Sequence, residues 1–302
     1  MQNTSQLLMI RPVNFGFNAE TAVNNAFQVA GDVDVQQKAL LEFDLFAELL
    51  KKNGIDVTIV EDTPRPFTPD SIFPNNWISF HEDGSIILYP MYAFNRRKER
   101  KQHVLDAIQH KFKVADIIDL TGFEQEHLFL EGTGSMVLDR DNKIAYACLS
   151  PRTNKEVLDQ FCMVNHYTPV LFSAFDATGK AIYHTNVMMC VADQFVVVCL
   201  NAVRNKEEKK KLAAAIEQTN KEIIPISLGE MNAFAGNMLQ VINKEGEKLL
   251  IMSSRAYHAL SPEQISVLNK YNRILHSPLT AIENSGGGSA RCMLAEVFLS
   301  PK

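Results

Sequence analysis

The sequence predicts an α/β domain assembled from about five related modules. The first observation behind this is recurrence. FPNNWISF-HEDG-SIILYP, FLEGTGSMVL-DRDN-KIAYACLS, YHTNVMMCV-ADQ-FVVVCLN and FAGNMLQVI-NKEGE-KLLIMSS share one layout. Each opens on a polar or glycine-containing entry, runs into an apolar strand, turns, and returns on a second apolar strand. The entries repeat at about 50 to 60 residues, as in an array of supersecondary units, and a closing GGGSARCMLAEVFLS supplies the first arm of a fifth. The second observation is that helical segments alternate with the hairpins. The third is uniform composition. No linker divides the chain, so residues 1–302 read as one domain, and 46% hydrophobic content is ample for its core.

The helices follow from spacing and caps. DVDVQQKALLEFDLFAELLKKNG carries apolar residues at helical intervals, with Gly54 as its C-cap. RRKERKQHVLDAIQHKF, TNKEVLDQFCMV, NKEEKKKLAAAIEQTN and SPEQISVLNKYN complete a set of five. In SPEQ, Ser261 is placed to cap the backbone in a capping box, with proline just inside. The lysine and glutamate run at 206–211 reads as the solvated face of its helix.

If such units pack around one axis, their entries converge at one end of it. The entry residues include Asn76, Glu131, His184, Asn186 and Cys292, the cast of a thiol-based active site. Among the five cysteines, Cys148, Cys190 and Cys199 sit in strand-like apolar runs and Cys162 on a helical apolar face, so these four read as small core residues. Cys292 differs, because NSGGGSAR precedes it. Three consecutive glycines forfeit packing and often mark close backbone approach to a ligand. Exposed N–H groups there, with Arg291 adjacent, would stabilise a thiolate; the plainer reading is a flexible loop before a strand. His184 alone among eight histidines occupies an entry, and Glu131 brings a carboxylate to a strand start beside a tight turn, where it needs a partner.

Other classes fit less well. A net charge of -5 gives no basic footprint for nucleic acid. The N-terminus lacks a signal peptide's basic start, no apolar run is long enough to span a bilayer, and five cysteines in 302 residues are no disulfide framework, so a cytoplasmic setting is the default. There is no C-x-x-C, no H-E-x-x-H and no calcium-type acidic loop, and GGGSAR lacks the lysine of a phosphate-binding loop.

MIRPVNFGFN, FPNNW, EGTGS, HTN and GGGSARCM, in that order, resemble the guanidino-group-modifying enzymes: arginine deiminase, dimethylarginine hydrolase, succinylarginine dihydrolase and the amidinotransferases. The resemblance covers nearly the whole chain. It implies the α/β-propeller, or pentein, fold, with five ββαβ-type modules around a pseudo-fivefold axis. It also implies roles. Cys292 would be the nucleophile and His184 the acid and base, while Glu131 orients His184 or holds a substrate nitrogen. Arg97 and Arg152 would hold a substrate carboxylate, with Arg96 the rival for the first; the plainer reading for either arginine is a surface ion pair.

The departures are informative. Arginine deiminases present aspartates where this chain has Asn76 and Asn186, and often a second acid where it has Gly134. Charge-assisted bonds are about twice as strong as neutral ones, so the loss of two anions disfavours a guanidinium. An asparagine offers both donor and acceptor, which suits a neutral ureido group. Within the superfamily the chain is most similar to citrulline-utilisation hydrolases (citrulline ureidases). That implies a small amino-acid substrate, citrulline giving ornithine, ammonia and carbon dioxide, and no metal or organic cofactor. The alternatives are a deiminase or dihydrolase of arginine, an amidinotransferase, and a non-catalytic pentein binding module. Loops 11–32 and 225–237 are candidates to cover the pocket, with Asn14, Phe15 and Asn18 in the first; the oligomeric state, a homo-oligomer included, stays open.

Overall fold

The computed structural model describes residues 1–30 and 34–302. Among them, strands form five three-stranded sheets of one pattern. In the first complete hairpin, Ile78–Phe80 runs antiparallel to Ser85–Leu88, the helix Gln102–Lys111 crosses over, and Asp116–Asp119 joins parallel to the middle strand. The pattern recurs with Met136–Asp139, Ile144–Cys148, Lys155–Asn165 and Thr168–Phe172. It recurs again with Met189–Val191, Phe195–Val198, Lys206–Glu217 and Glu222–Pro225. The next copy has Leu239–Ile242, Lys248–Ser253, the helix Pro262–Tyr271 and Arg273–Ser277.

The remaining module joins the two ends of the chain. Ala295–Glu296 pairs antiparallel with Gln6–Arg11, which pairs in parallel with Asp56–Glu61 after the helix Val35–Lys52. The expected ββαβ unit is therefore present five times, the fifth split between C- and N-terminal segments.

The five expected helices form, and Ser261 makes the capping box with Gln264. Gly54, at φ 81, follows the first long helix as its left-handed terminator. Residues 31–33, at the start of that helical segment and the end of the 11–32 loop, lie outside the described residues. The helices bury apolar stripes against the sheets: Phe43, Phe46 and Leu50, each 0% exposed, pack with Leu7, Met9 and Ile251.

Where the entries were read as leading directly into strands, each of four instead makes a tight helical turn: Pro74–Asn76, Gly132–Ser135, Thr185–Val187 and Ala290–Met293. A tight turn draws the chain inward: the turn at Asn76 packs against those at Gly132 and Cys292, and the Gly132 turn also against Thr185–Val187. Burial pushes the thiols of Cys148 up to about 11 and of Cys162 and Cys190 up to about 12, as suits core residues. No helix among the described residues is long and apolar enough to cross a membrane.

Because Phe43 fills the space between its helix and two sheets, Phe43→Ala should lower stability by about 3–5 kcal/mol. Urea unfolding followed by circular dichroism would measure it.

Candidate active site

The converging turns place Cys292, His184 and Glu131 in one buried region. Cys292 is 4% exposed, and its backbone N–H donates to Ser289 O at 3.0 Å. Its Sγ receives Nδ2 of Asn237 at 3.2 Å and Nδ2 of Asn186 at 3.6 Å. Two amide donors thus face the sulfur. Asn237 is held in turn, donating to Asn186 O at 2.9 Å and accepting the Arg291 N–H at 3.0 Å. Arg291, expected beside the thiolate, turns away to Glu296 at 2.8 Å and Leu294 O at 2.7 Å. The cation is instead paired with a carboxylate of the split fifth module.

Glu131 is 0% exposed. Its Oε2 lies 2.7 Å from His184 Nε2, 3.5 Å from Arg152 Nη1 and 3.8 Å from Arg96 Nη1, and its Oε1 accepts the Tyr92 N–H at 3.0 Å. Burial opposes the charge, but Arg152, the His184 hydrogen bond and Arg96 outweigh it and hold the carboxyl far below its ordinary range. His184 shifts the other way for a base. Burial, with help from the two arginines, overrides the upward pull of Glu131 and lowers the imidazole to about 4. At neutral pH the pair is a carboxylate and a neutral imidazole. With Nε2–H donated to Glu131, Nδ1 is left as the basic nitrogen.

Between the turns lies a narrow cavity of about 10 Å³, bordered by Cys292, His184, Asn76, Arg96, Arg152, Asp70 and the run Gly286, Gly287 and Gly288. Arg97 is not part of it. Its guanidinium donates to Met91 O at 3.0 Å and Tyr92 O at 3.4 Å, beside Glu124 at 3.6 Å. Arg96 takes the inward place, 2% exposed, gripping Glu99 by two 2.9 Å bonds and donating to Asn76 Oδ1 at 2.8 Å. Arg152 is equally buried and donates to Asn24 Oδ1 at 2.8 Å and Thr21 O at 2.9 Å. Asn186 approaches Cys292, while the Asn76 amide is engaged by Arg96 and by Asn75 Oδ1 at 3.0 Å.

Two residues of this region, Asn237 beside the sulfur and Asp70 on the cavity wall, carry no expectation from the sequence. Asn237 stands at the entry of FAGNM, in phase with Asn76 and His184, and that phase was its signal. Asp70, 2% exposed, accepts from Asn18 at 2.7 Å and Thr21 at 3.1 Å through Oδ2, while Oδ1 has no partner. Nothing in its local sequence marks it.

The 14–30 segment forms the cover. Thr21 and Asn25 border the cavity, Asn25 and Gln28 donate to the carbonyls of Gly287 at 3.3 Å and Gly286 at 2.9 Å, and Tyr183 Oη donates to Gly287 O at 2.6 Å. The glycine run is therefore a packed wall rather than a flexible loop. A side chain at Gly288 would meet the Phe73 ring at 2.8 Å and Cys292 Cβ at 3.2 Å. Gly134 is as constrained, since a Cβ there would lie 2.4 Å from Asn76 Nδ2 and 2.9 Å from the His184 ring. The second acid often found in deiminases has no room here.

Sequence comparison decides the family. A family model described as N,N dimethylarginine dimethylhydrolase, eukaryotic, matches residues 11–299. The chain belongs to this family. It lies within the superfamily of guanidino-modifying hydrolases that the motifs resembled. No curated protein matches the sequence. Among solved structures, the N-terminal domain of ArgZ, an arginine dihydrolase from the ornithine–ammonia cycle of cyanobacteria, superposes with a TM-score of 0.73 at 17% identity, covering 97% of each chain. AgrE, in a mutant complex with L-arginine, gives 0.73 at 17% identity, covering 97% of this chain and 40% of AgrE. A dimethylarginine dimethylaminohydrolase mutant in adduct with S-methyl-L-thiocitrulline gives 0.66 at 15% identity, covering 97% and 99%. The chain spans 39% of full-length ArgZ. At such identities the likeness concerns the fold, and it establishes the five modules as the pentein fold.

Two outcomes follow. The His184 imidazole should titrate near 4, and Glu131→Gln should move it lower still, because the carboxylate is the upward influence; NMR titration of the ring protons reads both. The unfolded imidazole binds its proton near 6.5 and the folded one near 4, so this group makes stability fall as pH drops between those values. Separately, Gly134→Ala should reduce turnover by about tenfold or more, since it displaces Asn76 and the His184 ring, a loss read by steady-state kinetics.

Proposed function

We propose that the chain hydrolyses the ureido group of citrulline, giving ornithine, ammonia and carbon dioxide through a covalent bond to Cys292. The observation that carries this reading is the neutrality of the groups at the sulfur. Asn186 and Asn237 present amides to Sγ. The carboxylate of Glu131 is already matched by His184, Arg152 and Arg96. No anion at the sulfur demands a cationic head, which suits a planar neutral urea better than a guanidinium.

The charged groups serve the amino-acid end of the substrate. Arg152 and Arg96, the latter in the place expected for Arg97, offer cations to the α-carboxylate. The unpartnered Oδ1 of Asp70 offers an acceptor to the α-ammonium.

In the reaction, His184 takes the Cys292 proton and the sulfur attacks the ureido carbon. The imidazolium, stabilised by Glu131, returns that proton to the departing ammonia, leaving a carbamoyl thioester. His184 next accepts a proton from water as the water oxygen attacks the same carbon. The thiol leaves with its proton, and the N-carboxy-ornithine released loses carbon dioxide. Citrulline and one water balance ornithine, ammonia and carbon dioxide.

Family membership, together with the unpartnered carboxyl oxygen of Asp70, favours a second reading: release of dimethylamine from dimethylarginine. Incubating the protein separately with citrulline, arginine and dimethylarginine separates the two. Ornithine and ammonia from citrulline, lost on the order of 10³-fold or more in Cys292→Ser, is the expected result. Citrulline and dimethylamine from dimethylarginine, with citrulline itself inert, would overturn the ureido assignment.

A further inference from the structure

Glu283 lies in the Thr280–Gly286 helix, 1% exposed, and takes no part in the chemistry described above. Its Oε1 accepts the Ser289 hydroxyl at 2.6 Å, the length of a charge-assisted O–H···O⁻ bond. Ser289 is 0% exposed, and its carbonyl accepts the backbone N–H of Cys292. Between the helix and this turn the chain has only glycine, with Gly287 at φ 66. The carbonyls of Gly286 and Gly287 are held by Gln28, Asn25 and Tyr183. The side-chain bond from Glu283 to Ser289 adds a direct tie across that run.

The helix is itself anchored from a distance. Glu42, on the Val35–Lys52 helix, accepts the N–H groups of Ala281 at 2.9 Å and Ile282 at 3.0 Å. A carboxylate at a helix N-terminus satisfies otherwise orphaned donors and complements the helix dipole. A continuous path of bonds therefore runs from Glu42 through the helix to Glu283, Ser289 and the backbone of Cys292.

We propose that Glu283 and Ser289 are positioning residues, which hold the Cys292 sulfur against the amide donors of Asn186 and Asn237. The tolerance is narrow, since those donors stand 3.6 and 3.2 Å from Sγ. A shift of about 1 Å in such a site can reduce turnover by about 100-fold. A buried carboxylate is an expensive way to fill space, and Arg255 Nη1 approaches Oε2 only to 3.9 Å. The proposal rests on Cys292 being the nucleophile.

The test compares Ser289→Ala, Ser289→Thr, Glu283→Ala, Glu283→Gln and the double Ser289→Ala/Glu283→Ala. It measures kcat and KM for citrulline, the rate of Cys292 alkylation by iodoacetamide, and the urea midpoint. Ser289→Ala and Glu283→Ala should each lose about 10- to 100-fold in kcat with KM within about twofold. Glu283→Gln and Ser289→Thr, which keep the acceptor and the hydroxyl, should stay within about threefold of the wild type. The double variant should be no worse than the poorer single one, as for two members of one unit. Ser289→Ala with wild-type kcat and alkylation rate would overturn the proposal, as would losses that multiply in the double variant. Should Glu283→Ala not fold, the Ser289→Ala and Ser289→Thr pair decides. Cys292→Ser keeps the two readings apart: turnover in that variant defeats the nucleophile itself, whereas an inactive Cys292→Ser beside a fully active Ser289→Ala defeats only the brace. If citrulline is not turned over, the alkylation rates still decide.

Discussion

A carboxylate with no access to water organises this molecule. Glu131 would be prohibitively costly to bury alone, and it is charged only because His184, Arg96, Arg152 and the Tyr92 N–H surround it. Those partners come from different modules. Tyr92 and Arg96 follow the hairpin of Ile78–Phe80 and Ser85–Leu88, Arg152 follows that of Met136–Asp139 and Ile144–Cys148, and His184 opens the next. The requirement to neutralise one charge thus sets how three modules meet at the axis. It also sets the chemistry, because the same arginines that stabilise the carboxylate help to keep the imidazole neutral.

The charges are matched in a particular order. The sulfur looks onto amides, whereas the arginines occupy the borders of the cavity and are partly committed to protein acceptors. Arg96 is divided between Glu99 and Asn76, and Arg152 between Asn24 and a backbone carbonyl. Such arrangements pre-orient a guanidinium, so little side-chain entropy is lost when an anion arrives. The cover segment takes part directly, since Asn24 and Thr21 supply the acceptors for Arg152.

Much of this was legible in the sequence, and the reasons differ from element to element. Strand pairs and helices announce themselves through period and caps, as Ser261 and Gly54 do. The entries were legible as a phase, and the tight turns behind that phase were not, because a short helical turn leaves no periodic trace. Arg97 was preferred to Arg96 for lack of this detail. Residues 96–99 form a 3-10 helix, in which neighbouring side chains point about 120° apart while i and i+3 coincide. Glu99, three residues on, is the clue that singles out Arg96. The glycine run suggests close backbone approach, and in the fold it packs against Phe73, Asn25 and the cover segment. Asp70 depends on a long-range meeting with Asn18 and Thr21, which no local pattern encodes.

The sheet shared by Gln6–Arg11 and Ala295–Glu296 has a consequence for synthesis. As the chain leaves a ribosome, four modules can pair their strands locally, but the first strand must wait for its antiparallel neighbour, which follows all four of them in the sequence. Cys292 emerges only a few residues before that neighbour. A chain ended before Cys292 therefore carries neither that thiol nor the strand that completes the fifth sheet.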